Sequence, residues 1–185
     1  MGFGMPDISR IYIPPPAGKL ELNISDAWRG RFTEATELPD GAPVDYGYAV
    51  LFKGDKGYVC RRGENERWGV IEGPVREGES LADWAPRVAM EQAGATLARW
   101  ELVGYLDCKA TSHNPDYPAG TIRVRPIFLF VASEIDDVPE ETGYSRRRLP
   151  FNEHARALRD RYPELQRYLA KAFDRYMVLR AKGEA

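Results

Sequence analysis

Cysteine is almost missing from this chain: Cys60 and Cys108 are the only two. They lack the close spacing of a zinc knuckle, and one pair builds no secreted disulfide framework, so both are expected as reduced, partly buried thiols. Histidine is as scarce. His113 and His154 lie far apart in sequence, and no Cys–His or Ser–His–Asp constellation can be argued from their order. No apolar run approaches the ~18 residues of a membrane span. The N-terminus has neither the basic region nor the apolar core of a signal peptide, so a cytoplasmic setting is the default expectation. Neither sign of charge dominates. Lys and Arg number 26 against 28 Asp and Glu, a formal net charge of −2, which gives no general electrostatic case for nucleic acid. There is no internal repeat and no low-complexity tract.

What is present suits one soluble domain with a sizeable core plus decoration: 185 residues, 43% hydrophobic and 29% charged. Residues 1–43 read as an N-terminal extension. Within it, Met1 to Met5 is a tail, Ile8 to Ile13 a short extended segment, and Pro14-Pro15-Pro16 a polyproline stop. Leu20, Leu22 and Ile24 alternate as in a strand. The core sheet is expected from about Val44. Tyr46, Tyr48, Val50 and Phe52 alternate, Gly54-Asp55-Lys56-Gly57 reads as a hairpin turn, and Tyr58 to Arg62 as the return strand. Ala98 to Asp107 and Thr121 to Ala132 are strand-like, with Pro126 hinting at a bulge or an edge. Ser133 to Tyr144 reads as an acidic loop, and a helix starts near Leu149-Pro150. Leu158, Tyr162, Leu165, Leu169, Ala172, Tyr176 and Leu179 recur at alternating four- and three-residue spacing, a heptad-like seam divided by Pro163. The domain is therefore placed at 44–160, with 161–185 a C-terminal helix packed on it or on a partner.

The stretch from Trp68 to Ala95 organises the rest. Ser80 is a helix N-cap and Gly94 a C-terminal cap, bracketing a helix from about Leu81 to Ala93 with Pro86 inside it. On that helix positions 88, 91 and 92 share a face. The order of residues is Gly73, five residues, Glu79, seven residues, then Arg87-Val88-Ala89-Met90-Glu91-Gln92-Ala93-Gly94-Ala95. This resembles the Nudix box: Gly, five residues, Glu, seven residues, Arg-Glu-apolar-x-Glu-Glu-x-Gly-apolar. Trp68-Gly69 and Gly78-Glu79-Ser80 match the family's approach to the box. Glu72 stands where the family has a further Gly.

The resemblance implies an α/β (α+β) chain: the Nudix α/β/α sandwich with a mixed sheet. It implies Mg²⁺ or Mn²⁺ as the cofactor of an active member, held by helix carboxylates, with hydrolysis of a nucleoside-diphosphate-linked substrate. It also implies that Gly73, Glu79, Arg87 and Gly94 hold loop and helix together. Val88 and Gln92 occupy positions that are Glu in the family, so Glu91 and Glu79 remain as metal candidates and Gln92 offers only a neutral oxygen.

Glu140 and Glu141, where the family often has a further acidic residue, are candidates to complete the shell, or belong to a solvated loop. Arg146-Arg147-Arg148 reads as a phosphate clamp or a solvated charge run. Of Arg61 and Arg62, strand alternation points one into the cleft. Trp68 or Tyr117 suits a nucleobase, and Trp68 equally suits packing under the box. Three functions follow as expectations. The first is a binding protein for a nucleoside-diphosphate-linked ligand or a partner, with weak or no hydrolysis and no required cofactor. The second is an active Mg²⁺-dependent pyrophosphohydrolase using Glu79, Glu91 and an acidic-loop carboxylate. The third is an assembly protein that keeps only the scaffold. A homodimer or protein complex fits the seam and the extension.

Overall fold

The computed structural model describes Tyr12 and residues 22–185. Apart from Tyr12, the tail, the extended segment, the polyproline stop and the start of the Lys19–Ile24 strand pattern lie outside the described residues. One sheet carries eight strands: β1 (Leu22–Ser25), β2 (Trp28–Glu34), β3 (Tyr46–Lys53), β4 (Lys56–Arg62), β5 (Ile71–Pro74), β6 (Ala95–Ala110), β7 (Ile122–Ile135) and β8 (Tyr144–Pro150). Three helices complete it: α1 (Leu81–Ala93), α2 (Phe151–Arg161) and α3 (Gln166–Ala181). The strand order is β1-β2-β6-β7-β3-β4-β8, with β5 also paired to β3. Only β3 and β7 run parallel, from Tyr48 opposite Ile127 to Phe52 opposite Val131, so the sheet is mixed. Among the described residues sheet pairing starts at Leu22, ahead of the expected start near Val44: β1 and β2 lie within residues 22–34.

Both faces of the central strands are covered, so β3 and β7 read as nearly continuous apolar runs. Alternate residues part between two cores. Ala49, Leu51, Phe128 and Phe130 meet α1 through Trp84, Ala85, Val88 and Ala89. Val50, Phe52, Ile127 and Leu129 meet α2 and α3. The sheet lies between helical layers, an α/β/α sandwich. All seven seam residues, Leu158 to Leu179, are buried against the chain's own sheet. Tyr176 stacks on Phe52 with centroids 4.8 Å apart, and its hydroxyl donates to the Gly54 carbonyl at 2.7 Å. Pro163 falls in the break between α2 and α3.

Helix α1 starts and stops where its sequence signals stand. Ser80 Oγ accepts the Asp83 N–H at 3.1 Å, and Gly94 closes the helix at φ +63°. A side chain at Gly94 would stand 2.4 Å from the Asp136 carbonyl, so two reasons fix glycine there. The helix runs unbroken through Pro86.

Three sequence expectations are corrected, the first in part. Of the two expectations for Pro126, the bulge holds and the edge does not: the β6–β7 register shifts at Leu102/Gly104, next to the Tyr105–Pro126 pair, while Pro126 itself is on the interior strand β7, between β6 and β3. It sits where the β3 side of the ladder is interrupted, between the Val44–Val124 bridge and the Tyr48–Ile127 pair, so its missing N–H disrupts nothing. Arg146 to Arg148 form part of a strand, β8, paired along β4. The acidic segment from Ser133 begins as the end of β7 and later holds a 3₁₀ turn, Glu140–Thr142.

Candidate functional site

A cleft of about 600 Å³ opens in front of the box. Strand β5 brings Glu72 to its wall and α1 brings Gln92. The end of β4 and the loop after it supply Arg62, Glu66 and Arg67, β8 supplies Tyr144, and the end of α2 supplies Arg161 and Tyr162.

Glu72 is the most constrained side chain in the cleft. Tyr46 Oη donates to its Oε1 at 2.9 Å, and Tyr162 Oη donates a short hydrogen bond to its Oε2. Tyr162 Oη also accepts the Val70 N–H at 3.0 Å. A Cβ at Gly69 would fall 2.3 Å from that hydroxyl, so the glycine of the Trp68-Gly69 step is what admits the Tyr162 ring tip. Burial, and then the Glu72 carboxylate, push both phenols far above their ordinary range, so both stay protonated donors. Cys60 also lines the cleft, and burial pushes its thiol up to about 12.

Gln92 is 4% exposed and both ends of its amide are hydrogen-bonded. Its Nε2 donates to the Glu72 carbonyl at 2.8 Å, and its Oε1 accepts the Glu72 N–H at 3.2 Å. It ties α1 to β5 as one more rung of a ladder would. Val88, one turn earlier, is 1% exposed and lies in the apolar layer under the helix.

Glu79 and Glu91 are held outside that cleft wall by Arg87. Arg87 Nε and Nη2 donate to the two Glu79 oxygens at 2.6 and 2.7 Å, a bidentate pair. Nη1 donates to Glu91 at 3.1 Å, Nη2 reaches the Pro74 carbonyl at 3.3 Å, and Arg76 stands 3.7 Å from Glu91. The Arg87 guanidinium pulls the Glu79 carboxyl down to about 2. Glu79 and Arg87 thus fasten loop to helix. Gly73 packs near Gln92, where a Cβ would meet Nε2 at an ordinary 3.6 Å.

The remaining sequence candidates separate. Arg62 lines the cleft, whereas Arg61 lies over the Trp68 ring at 4.3 Å. Arg147 lies over the same ring at 5.5 Å, so Trp68 is a packed ring covered by two guanidinium groups. Tyr117 packs on Trp28, centroids 5.6 Å apart. Arg146 donates to the Ala93 and Asp136 carbonyls, 2.6 Å each, and so secures the end of α1. Glu140 and Glu141 are exposed on their 3₁₀ turn and do not line the cleft. His113 is exposed; His154 is buried against the Tyr58 carbonyl, and burial lowers it to about 4.

The residues present do not fit a Mg²⁺ cage at Glu79 and Glu91. Their carboxylates are engaged by arginine, Val88 has no donor, and both ends of the Gln92 amide are committed. Among the described residues no group of three or more Asp, Glu, His or Cys side chains is placed to hold a metal ion. The cleft carries three arginines against two carboxylates, Glu66 and Glu72. Arg62, Arg67 and Arg161 surround it, and none of the three is in an ion pair among the described residues. Glu72, Tyr46, Tyr144, Tyr162, Arg67 and Arg161 were not singled out for the site by sequence reasoning. The available signals were a carboxylate standing at a box glycine and a polar tip within an apolar seam.

No protein-family model matches the sequence, and no curated protein matches it. Solved structures do. A mutant form of the pyrophosphohydrolase BsRppH of Bacillus subtilis aligns over 72% of this chain and 80% of its own, at 14% identity and a TM-score of 0.57. A Nudix hydrolase from Nitrosomonas europaea aligns over 74% and 89%, at 19% identity and a TM-score of 0.53. With the mixed sheet between helical layers and a strand–loop–helix at the box, this chain has the fold of the Nudix hydrolases.

Proposed function

We propose that this chain is a binding protein on the Nudix fold, taking a nucleoside-diphosphate-linked ligand into the cleft and hydrolysing it slowly or not at all. One observation carries the reading: the helix position at the cleft wall is a neutral Gln92 hydrogen-bonded at both ends of its amide, while Arg62, Arg67 and Arg161 outnumber Glu66 and Glu72 around the same cleft. Guanidinium forks match phosphate oxygens. Tyr144 gives an aromatic surface beside them. Glu72, locked by two phenols, shapes the wall and offers its oxygens to ligand hydroxyls rather than to phosphate.

The test is isothermal titration with a panel of nucleoside diphosphate conjugates, in Mg²⁺ and in chelator, beside a phosphate-release assay. Binding is expected in chelator, and Arg62→Ala with Arg161→Ala is expected to weaken it at least about tenfold, since hydrogen bonds to charged groups contribute about 1.5–3 kcal/mol each. Robust Mg²⁺-dependent turnover by the wild type, lost in Glu91→Gln, overturns the reading in favour of the active hydrolase. Absence of binding across the panel in both conditions overturns it in favour of the assembly role.

A further inference from the structure

Strand β6 is longer than the partner on one of its sides. Strand β7 accompanies it from Ala95 to Lys109. On the other side β2 pairs only from Gly104 to Ala110. Among the described residues, Ala95–Val103 therefore has an open edge, a row of unpaired backbone donors and acceptors. Apolar side chains collect along it. Trp100 is 38% exposed and Met90 36%, and both border a recess of about 290 Å³ with Pro86 and Leu97. Val178, 44% exposed, borders a larger groove of about 1030 Å³ that again includes Trp100. These are three of the four exposed large apolar side chains among the described residues, Met177 beside Val178 being the fourth.

We infer that this edge is the dimerisation surface of the chain, with β6 of a second copy adding antiparallel across a two-fold axis at Trp100. The sequence Ala98-Arg99-Trp100-Glu101-Leu102 is its own complement in that register. Arg99 faces Glu101 of the second copy, Glu101 faces its Arg99, and the indoles form a central cross-strand pair. Arg99 and Glu101 already share one face, 3.7 Å apart, with Arg175 at 2.7 Å from Glu101 and Glu184 at 3.4 Å from Arg99. Registers centred on Arg99 or on Glu101 would instead set like charges opposite each other, which is unfavourable. Self-complementary pairing of one patch with itself is what a two-fold interface requires. The edge is not flat throughout: the β6–β7 register shifts at Thr96/Leu97, Leu97/Arg99 and Leu102/Gly104, and between the last two Arg99 to Leu102 pair regularly with Val131 to Phe128. The two-fold falls on that regular stretch, where the charges, instead of being of one sign as on an edge defended by charge, are of opposite sign and symmetric about an exposed tryptophan.

Sedimentation velocity of the full chain across a concentration series, with hydrogen exchange on the same samples, tests this. The wild type is expected to dimerise, with those amides of Ala95–Val103 that point away from β7 protected only in the dimer. Arg99→Glu and Glu101→Arg are each expected to raise the dimer dissociation constant at least about tenfold, because each sets two like-charged pairs face to face. An equimolar mixture of the two variants is expected to restore the dimer, since each then faces its opposite. Trp100→Ser, which alters no charge, is expected to weaken the dimer even if loss of the Arg175 contact unfolds Glu101→Arg. A wild-type monomer overturns the proposal: protected edge amides would then assign the edge to the chain's own N-terminal segment, and fast exchange would leave it open. A dimer that Trp100→Ser leaves intact, or folded charge variants whose mixture stays monomeric, overturns it as well.

Discussion

Gln92→Glu is the sharpest probe of the cleft wall, because it alters one atom and restores the residue that the box resemblance leads one to expect. Gln92 is nearly buried, donating to the Glu72 carbonyl at 2.8 Å and accepting the Glu72 N–H at 3.2 Å. An ionised glutamate keeps the second bond and loses the first. The Glu72 carbonyl then faces a carboxylate oxygen, and the Glu72 side chain adds a second negative charge on the same wall. A buried carbonyl left unpaired costs about 1–3 kcal/mol. Burial of the new charge adds to that, so the variant should be about 2–4 kcal/mol less stable than wild type near pH 7.5. The cost carries a pH signature. Burial and the Glu72 charge raise the new carboxyl in the folded state above its unfolded value of about 4.3. The folded protein therefore holds this proton more tightly than the unfolded chain. Below about pH 4.3 both states are protonated, the acid donates to Glu72 as the amide did, and the difference from wild type is small. As pH rises to the folded pKa the penalty grows by about 1.4 kcal/mol per unit, then levels off. Urea unfolding of both proteins at a series of pH values reads this directly. A pH-independent difference, or none at neutral pH, would refute the account of Gln92 as a neutral tie.

Arg87→Met should let the Glu79 carboxyl climb from about 2 towards an ordinary value of about 4.3, read by NMR titration. In the wild type that depressed pKa contributes stability present above the ordinary value and lost as pH falls through about 2, and the variant should lack it throughout. A Glu79 pKa unmoved by the substitution would remove Arg87 as its cause. Tyr162→Phe leaves the Val70 N–H without its acceptor and Glu72 with one phenol fewer. A loss of about 1–3 kcal/mol in urea unfolding is expected, and a near-neutral result would mean water replaces the hydroxyl. His154 is held neutral by burial down to about 4, against an ordinary value of about 6.5. Its folded pKa is the lower one, so stability is full above about 6.5 and falls as pH drops towards about 4, where the unfolded chain takes up a proton that the folded one refuses. His154→Gln should flatten unfolding free energy across that window, and an unchanged slope would assign it to other groups.

The parts of the fold that sequence shows are those where a local rule and a tertiary need coincide. Ser80 and Gly94 bracket α1 because capping is a backbone matter settled within a few residues. The Leu158–Leu179 seam shows an apolar stripe, and a stripe states that it will be buried without saying against what; here it is the chain's own sheet. Strand β8 escapes for the converse reason. It lies at a sheet edge, only Leu149 of its residues is fully buried, and three consecutive arginines hide the alternation that a covered strand would show.

The cleft was the least legible part because its residues come from six parts of the chain and their roles are pairwise. Tyr162 and Glu72 are separated by 90 positions, and nothing local to either announces the other. Tyr162 was visible only as a seam residue. Its ring does serve the seam, while its hydroxyl reaches the site through the gap that Gly69 leaves. Glu72 reads in sequence as damage, a carboxylate in place of a box glycine. In the fold it stands on β5, one residue before Gly73 and beside the neutral Gln92, with a phenol on each carboxylate oxygen. A carboxylate so engaged is poorly placed to wrap a hard cation that asks for several free oxygens. It is well placed to fix the shape of a wall facing three arginines. Residues 72 and 92 therefore act as a unit, since the amide of Gln92 joins the pairing with β3 in holding the Glu72 backbone where its carboxylate meets both phenols.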